Sequence, residues 1–194
     1  MEFQHELVIP DEGLPFKFFL YEGSQGNYVR EKHWHTSIEI FAVMEGSLTF
    51  YLNDEKHPLK AGELMIINSN EVHSIDSPEE NHTAVLQIPL KQFEDYFTAH
   101  RFIRFAANEQ ETDSQLWRLI REMYKLYGKR GTGYEFKIRS FYYDVLYLLH
   151  SESSPEVTSF IFMLKPSYHE VLFLSPVFLS SLVHFFDLCI FPIS

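Results

Sequence analysis

Five runs rich in Ile, Val, Leu, Phe and Tyr follow one another between residues 16 and 90: FKFFLYE, IEIFAVME, SLTFYLN, LMIINS and TAVLQIPL. Turn-forming pairs stand between them, at Glu45-Gly46, Asn53-Asp54, Ala61-Gly62 and Ser77-Pro78. Apolar runs this short, recurring at near-regular spacing, bury their surface as strands of a curled or closed sheet, so the pattern predicts a β-barrel or sandwich. IEIFAVMEGSLTFYLN reads as a hairpin turning at Glu45-Gly46, and YLNDEKHPLKAG as a second turning near Asn53-Asp54. Residues 1–15 are polar and carry Pro10, Gly13 and Pro15, the composition of an arm and not of a packed element.

Residues 33–46, HWHTSIEIFAVMEG, set polar groups into this apolar region. In an extended strand alternate side chains share a face, so His33, His35 and Glu39 converge if the strand runs regularly through them. Phe41 and Val43 have the same parity and would supply apolar walls, whereas Trp34 would point the other way, into core or interface. The run GELMIINSNEVH brings His73 on a separate segment that could complete the set. Three imidazoles and a carboxylate suffice to hold a divalent metal. They are equally good hydrogen-bonding partners for a polar small molecule, so the residue types leave both uses open.

The spacing from His33 through His35 and Glu39 to Gly46, followed by Gly62 and His73, resembles the cupin family. Two positions depart from it: Asn68-Ser69-Asn70 stands where cupins carry Pro-x-Gly, and Ser77 where they carry Asn. The wording of residues 33–75 looks, more narrowly, like the sensor domain of AraC-type transcription regulators, a resemblance that is strong over residues 15–90 and continues by general arrangement to 150. It implies a cupin-like jelly-roll barrel over residues 16–90, with His33, His35, Glu39, Phe41 and His73 contacting a small-molecule effector, a sugar for example. It implies no required cofactor, although His33, His35, Glu39 and His73 are the positions at which a cupin would hold a divalent metal.

Beyond residue 90 the period changes. Leu116, Leu119, Ile120, Met123, Leu126 and Tyr127 recur at three- and four-residue intervals, predicting a helix over 113–128 capped by Thr112 or Asp113. After the turn GKRGTG, the residues Phe136, Ile138, Phe141, Tyr142, Val145, Leu148 and Leu149 predict a second helix over 134–150. The short connection makes the two an antiparallel pair that covers the barrel. By the resemblance, the region 91–150 is also the surface of a homodimer.

Residues 151–194 read as a linker, SESSPEVTS, and an apolar tail, VLFLSPVFLSSLVHFFDLCIFPIS. Pro176, His184, Asp187 and Pro192 interrupt that tail, which argues against a membrane span. AraC-type regulators continue here into basic helix-turn-helix units, so the expectation is a truncated or altered C-terminus, with DNA bound only through a helix-turn-helix domain absent from this chain.

Charge agrees with that expectation. The net charge is −11, and residues 1–100 hold six Lys and Arg against seventeen Asp and Glu. Such a surface repels phosphate backbones. With 45% hydrophobic and 16% aromatic residues the chain has ample material for a core. A single cysteine, Cys189, excludes an internal disulfide, and the acidic N-terminus does not read as a secretory signal; both suit the cytoplasm. No serine sits in a nucleophile elbow, and GKRGTG lacks the preceding strand of a phosphate loop. His5, His57, His82, His100, His150, His169 and His184 are scattered and read as solvated or structural. The reading that follows is an effector-sensing and dimerisation domain. Its rival is a metal-dependent cupin enzyme, an oxygenase or isomerase, and a third reading is a dimeric remnant that sequesters full-length regulators.

Overall fold

The computed structural model describes residues 3–23, 28–96, 105 and 115–152. The expected caps Thr112 and Asp113, and residues 153–194 of the expected linker and tail, lie outside the described residues. The strands are β1 (Gln4–His5), β2 (Lys17–Glu22), β3 (Tyr28–Trp34), β4 (Ile38–Leu52), β5 (Glu55–Lys60), β6 (Leu64–Ile67), β7 (His73–Ser77) and β8 (Asn81–Ile88). They form one curled sheet in the order β1-β3-β7-β4-β8-β2, with β5 and β6 also paired to β4. The β1–β3 pairing is parallel, and the others are antiparallel. A 3-10 helix over Leu90–Tyr96 follows β8 and buries Phe93 in the core shared with the helices, and α1 (Gln115–Lys129) and α2 (Tyr134–Glu152) form the helical pair. The architecture is the expected cupin-like jelly roll followed by two packed helices.

One expected hairpin is replaced by a single strand. Residues 38–52 do not turn at Glu45-Gly46 but continue as β4, whose first half pairs with β6 and β8 and whose second half pairs with β5 and β7. A bulge between Val43 and Glu45 bends the strand from one side of the barrel to the other. Gly46 makes the bend feasible: its φ is +74°, and a Cβ there would stand 2.1 Å from the Glu80 carbonyl oxygen. The Gly signal is thus a corner and not a reversal. The second hairpin is as expected, since Asn53 and Asp54 both have positive φ and join β4 to β5 as a two-residue turn.

Two apolar cores result from β4 being covered on both faces. Ile38, Ile40 and Ala42, with Phe16, Phe18, Leu86 and Ile88, face Ile120, Met123, Ile138, Tyr142 and Val145 of the helices. Phe41, Val43, Leu48, Phe50, Ile67, Ile75 and Val85 fill the barrel interior. Burying each such Ile, Leu or Phe contributes roughly 1.5–3 kcal/mol, so the helical layer is an integral half of the fold. Among the described residues, no helix is long and apolar enough to cross a membrane.

The N-terminal segment carries more structure than its composition suggested. Gln4 and His5 pair with His33 and Trp34, the Glu6 amide donates to the Trp34 carbonyl at 2.9 Å, and the His5 and Trp34 rings stand 4.4 Å apart. Further along, the Phe18 amide donates to Asp11 Oδ2 at 3.0 Å, and Arg139 of α2 donates to the Gly13 carbonyl. The arm runs along the barrel from β3 to α2.

Candidate functional site

The convergence of His35, Glu39 and His73 is real, but a regular strand does not produce it. β3 ends at Trp34 and β4 begins at Ile38, so the chain crosses from one side of the barrel to the other at residues 35–37. His35 lies on that crossing, Glu39 on β4, and His73 opens β7 directly opposite His33. All four side chains are buried. The ligand-capable atoms of His35, Glu39 and His73 lie within 4.8 Å of one another. His33 stands outside this trio, its ring 4.2 Å from that of His73 and 6.3 Å from that of His35.

Each imidazole is oriented in the same way. His33 Nδ1 meets the Glu31 carbonyl at 2.8 Å, His35 Nδ1 the Ser37 carbonyl at 3.0 Å, and His73 Nδ1 the Glu71 carbonyl at 3.0 Å. A carbonyl only accepts, so each Nδ1–H is the donor and each Nε2 is left to face the other groups. The turn that replaces Pro-x-Gly supports this arrangement. Asn70 takes a left-handed φ of +65°, and its amide donates to the His35 carbonyl at 2.8 Å. Asparagine tolerates that conformation. Asn68 exchanges two hydrogen bonds with the backbone of Phe105.

Glu39 is the electrostatic centre. Its Oε2 accepts from His35 Nε2 at 3.0 Å and its Oε1 accepts from Gln87 Nε2 at 2.7 Å. Burial by itself would raise its pKa, but the hydrogen bond from His35 and the close approach of the His73 ring outweigh this and hold it at about 2. Burial likewise acts to lower His35, yet its bond to Glu39 leaves it raised. The two form a buried ion pair. His33 is lowered to about 4, first by burial and then by the field of His73. His73 Nε2 lies 3.4 Å from Glu39 Oε2, at ion-pair distance but without a hydrogen bond.

A divalent metal fits these residues. The trio offers two imidazole nitrogens and a carboxylate, backbone carbonyls orient the rings as the surroundings of metal-bound histidines do, and the His73 Nε2 is buried without a hydrogen bond. His35, Glu39 and His73 would hold the ion, which would act as a Lewis acid toward a bound oxygen ligand.

Two residues not foreseen complete the polar cluster. Gln87 sits opposite Glu39 in the β4–β8 register; a lone amide inside the apolar run TAVLQIPL was its signal. Glu6 comes from the arm: its Oε2 lies 3.4 Å from His33 Nε2 and accepts from Arg30 at 2.9 Å. Long-range docking of an arm leaves no local trace. Phe41, expected at the effector, is buried with its ring 4.4 Å from that of Phe50 and forms part of the apolar filling. A cavity of about 230 Å³ opens at the strand ends and reaches His73, between Phe3 of the arm and Lys32, Tyr51 and Val72.

A jelly-roll barrel with a helical layer on one side and a buried His-Glu cluster within it is a cupin-type domain. The AraC-like ligand binding domain profile matches residues 15–146, and the chain belongs to that family. Among solved structures it is similar to a cupin-2 domain containing protein from Shewanella frigidimarina, with 27% identity over 41% of this chain and 76% of that one and a TM-score of 0.35. A predicted oxalate decarboxylase from Thermotoga maritima matches at 24% identity over 39% of this chain and 69% of that one, with a TM-score of 0.36. The cupin domain of an XRE family transcriptional regulator from Enterobacter cloacae matches at 21% identity over 40% of this chain and 85% of that one, with a TM-score of 0.35. No curated protein matches.

Proposed function

We propose that this chain senses a small polar molecule, a sugar by the family resemblance, as the effector-binding and dimerisation part of a cytoplasmic AraC-type regulator. One observation carries the reading: a ligand-binding family profile falls on a barrel that buries, beside an apolar filling, a cluster of two imidazoles converging on one carboxylate. The cluster binds the effector, and the arm at residues 1–15 responds. A ligand shifts a conformation only through different affinities for two arrangements. The arm meets that requirement, because it touches the cluster through Glu6 and α2 through Gly13. Limited proteolysis with and without effector tests this: cleavage within residues 1–15 changes on binding, and an unchanged cleavage rate counts against the proposal. DNA is contacted through a helix-turn-helix domain in the regulator.

The shared orientation of the three imidazoles, and a His73 Nε2 buried without a hydrogen bond, favour a second reading, a metal-dependent cupin enzyme. Metal analysis of the purified protein separates the two. Stoichiometric metal that disappears in H35A and H73A supports the enzyme, whereas metal-free protein with an intact fold supports the sensor.

A further inference from the structure

Arg30 and His33 have opposite parity on β3, and a regular strand would send them to opposite faces. A register shift between them brings both toward one point. The group at that point is the carboxylate of Glu6, which accepts from Arg30 at 2.9 Å and lies 3.4 Å from His33 Nε2. Glu6 is carried by a segment that the barrel holds lightly. β1 contributes two register pairs, both its residues are exposed, and Leu7 and Ile9 beyond it are exposed as well. The arm also walls the cavity that reaches His73, through Phe3. A short, exposed strand therefore places an acid between a guanidinium and a buried histidine cluster.

We infer that Glu6 is a resident stand-in for the effector's own carboxylate, and that the effector is a hydroxylated carboxylic acid, such as a sugar acid, which displaces Glu6 from Arg30. The inference rests on the sensing reading and narrows its ligand. A guanidinium presents a planar fork that matches a carboxylate, and replacing one carboxylate by another leaves the charge balance of the site with Glu39 unchanged. The hydroxyl requirement comes from the imidazoles. The His73 Nδ1–H is committed to a backbone carbonyl, and its Nε2, 3.4 Å from Glu39 Oε2, is a buried ring nitrogen that makes no hydrogen bond. A hydroxyl both donates and accepts, so it bonds that nitrogen whichever way the proton lies, and a simple carboxylate held by Arg30 offers no such group. Displacing Glu6 removes the side-chain tie that joins the arm to Arg30 beside the β1–β3 backbone pairing, which couples the arm directly to binding.

The test titrates the full chain with gluconate, glucose and acetate by calorimetry, and follows hydrogen exchange of the Glu6 amide, which is bonded to the Trp34 carbonyl. Gluconate is expected to bind more tightly than glucose or acetate and to speed exchange of the Glu6 amide. E6Q should bind gluconate about tenfold more tightly, the gain from removing a competitor present roughly nine-tenths of the time. R30Q should lose at least about tenfold by losing the fork. Should R30Q fail to fold, E6Q decides alone, since it alters the arm and leaves the barrel intact. Glucose binding as well as gluconate, or an affinity indifferent to E6Q, overturns the inference while leaving the sensing reading standing. Binding of none of the three by E6Q also overturns it, and the proteolysis experiment with a wider effector panel then judges the sensing reading separately.

Discussion

Gln87 and Glu39 face each other across β8 and β4, and the Gln87 amide fixes one oxygen of the carboxylate at 2.7 Å while His35 takes the other. Glu39 is held in one orientation as a result. Q87L removes a hydrogen bond to a buried charged acceptor, an interaction of about 2 kcal/mol. Urea unfolding at pH 7 should show that loss. If metal binds, its affinity should also fall roughly tenfold or more, because the ligating carboxylate is no longer oriented. Unchanged stability in Q87L would mean that Glu39 finds another donor.

The acid limb of the stability profile is set by His33 and Glu39 in turn. His33 titrates at about 4 when folded, against an ordinary value of 6.5. Between those values the unfolded chain binds a proton that the folded one does not, so stability falls as pH drops from 6.5 to 4. Glu39, at about 2 against 4.5, contributes stability above pH 4.5 that is lost as pH falls toward 2. His35 acts in the opposite sense: its raised value gives stability that is complete below 6.5 and lost as pH rises through the folded pKa. For metal-free protein, H33Q should flatten the limb between pH 6.5 and 4, an effect of at most about 3 kcal/mol. Denaturation midpoints at pH 7, 5.5 and 4 check it, and parallel profiles for the two proteins would refute it.

Gly46 is the corner on which β4 changes sides. G46A combines a positive φ with a Cβ 2.1 Å from the Glu80 carbonyl oxygen and 2.9 Å from Asn81 Cα, both backbone atoms. The cost should be about 3 kcal/mol, which lowers the melting temperature by roughly 10 °C. A melting temperature within a degree or two of wild type would show that the corner relaxes easily.

Residues 16–90 are legible as strands because their alternation is local, and the helices are legible because their stripes must be buried; the observed Gln115–Lys129 and Tyr134–Glu152 fall within two residues of the expected bounds. Gly46 marked the right place and the wrong event. A glycine permits a left-handed residue, but whether the chain reverses or bends there depends on β8, whose Glu80-Asn81 segment lies against it. The histidine cluster was legible for a reason that does not hold, since the crossing at 35–37 breaks the strand that alternation assumed. His35, on the crossing, and Glu39, four residues on in β4, meet because the chain turns between β3 and β4. Arg30 was hidden by the register shift before His33, and Glu6 by the long-range docking of β1, features that no local pattern encodes.

Phe136, Tyr143 and Tyr147 are 77%, 58% and 69% exposed on α2. Their spacing of seven and four residues puts them on one stripe of that helix. The stripe lies opposite Ile138, Tyr142 and Val145, which are buried against the barrel layer, so α2 is apolar on two sides. Three exposed aromatic residues in a row suit an interface, where large rings carry most of the association energy. Y147E sets a charge in the stripe without touching the core. In sedimentation over a range of concentrations, wild-type protein should associate as a dimer, and Y147E should raise the dissociation constant about 30-fold, the effect of losing one central aromatic contact. Y124E, on a partly buried residue of α1 that packs against the core, is the contrasting variant: it should lower stability more than association. Equal dissociation constants for wild type and Y147E would place the dimer contact elsewhere than on this face of α2.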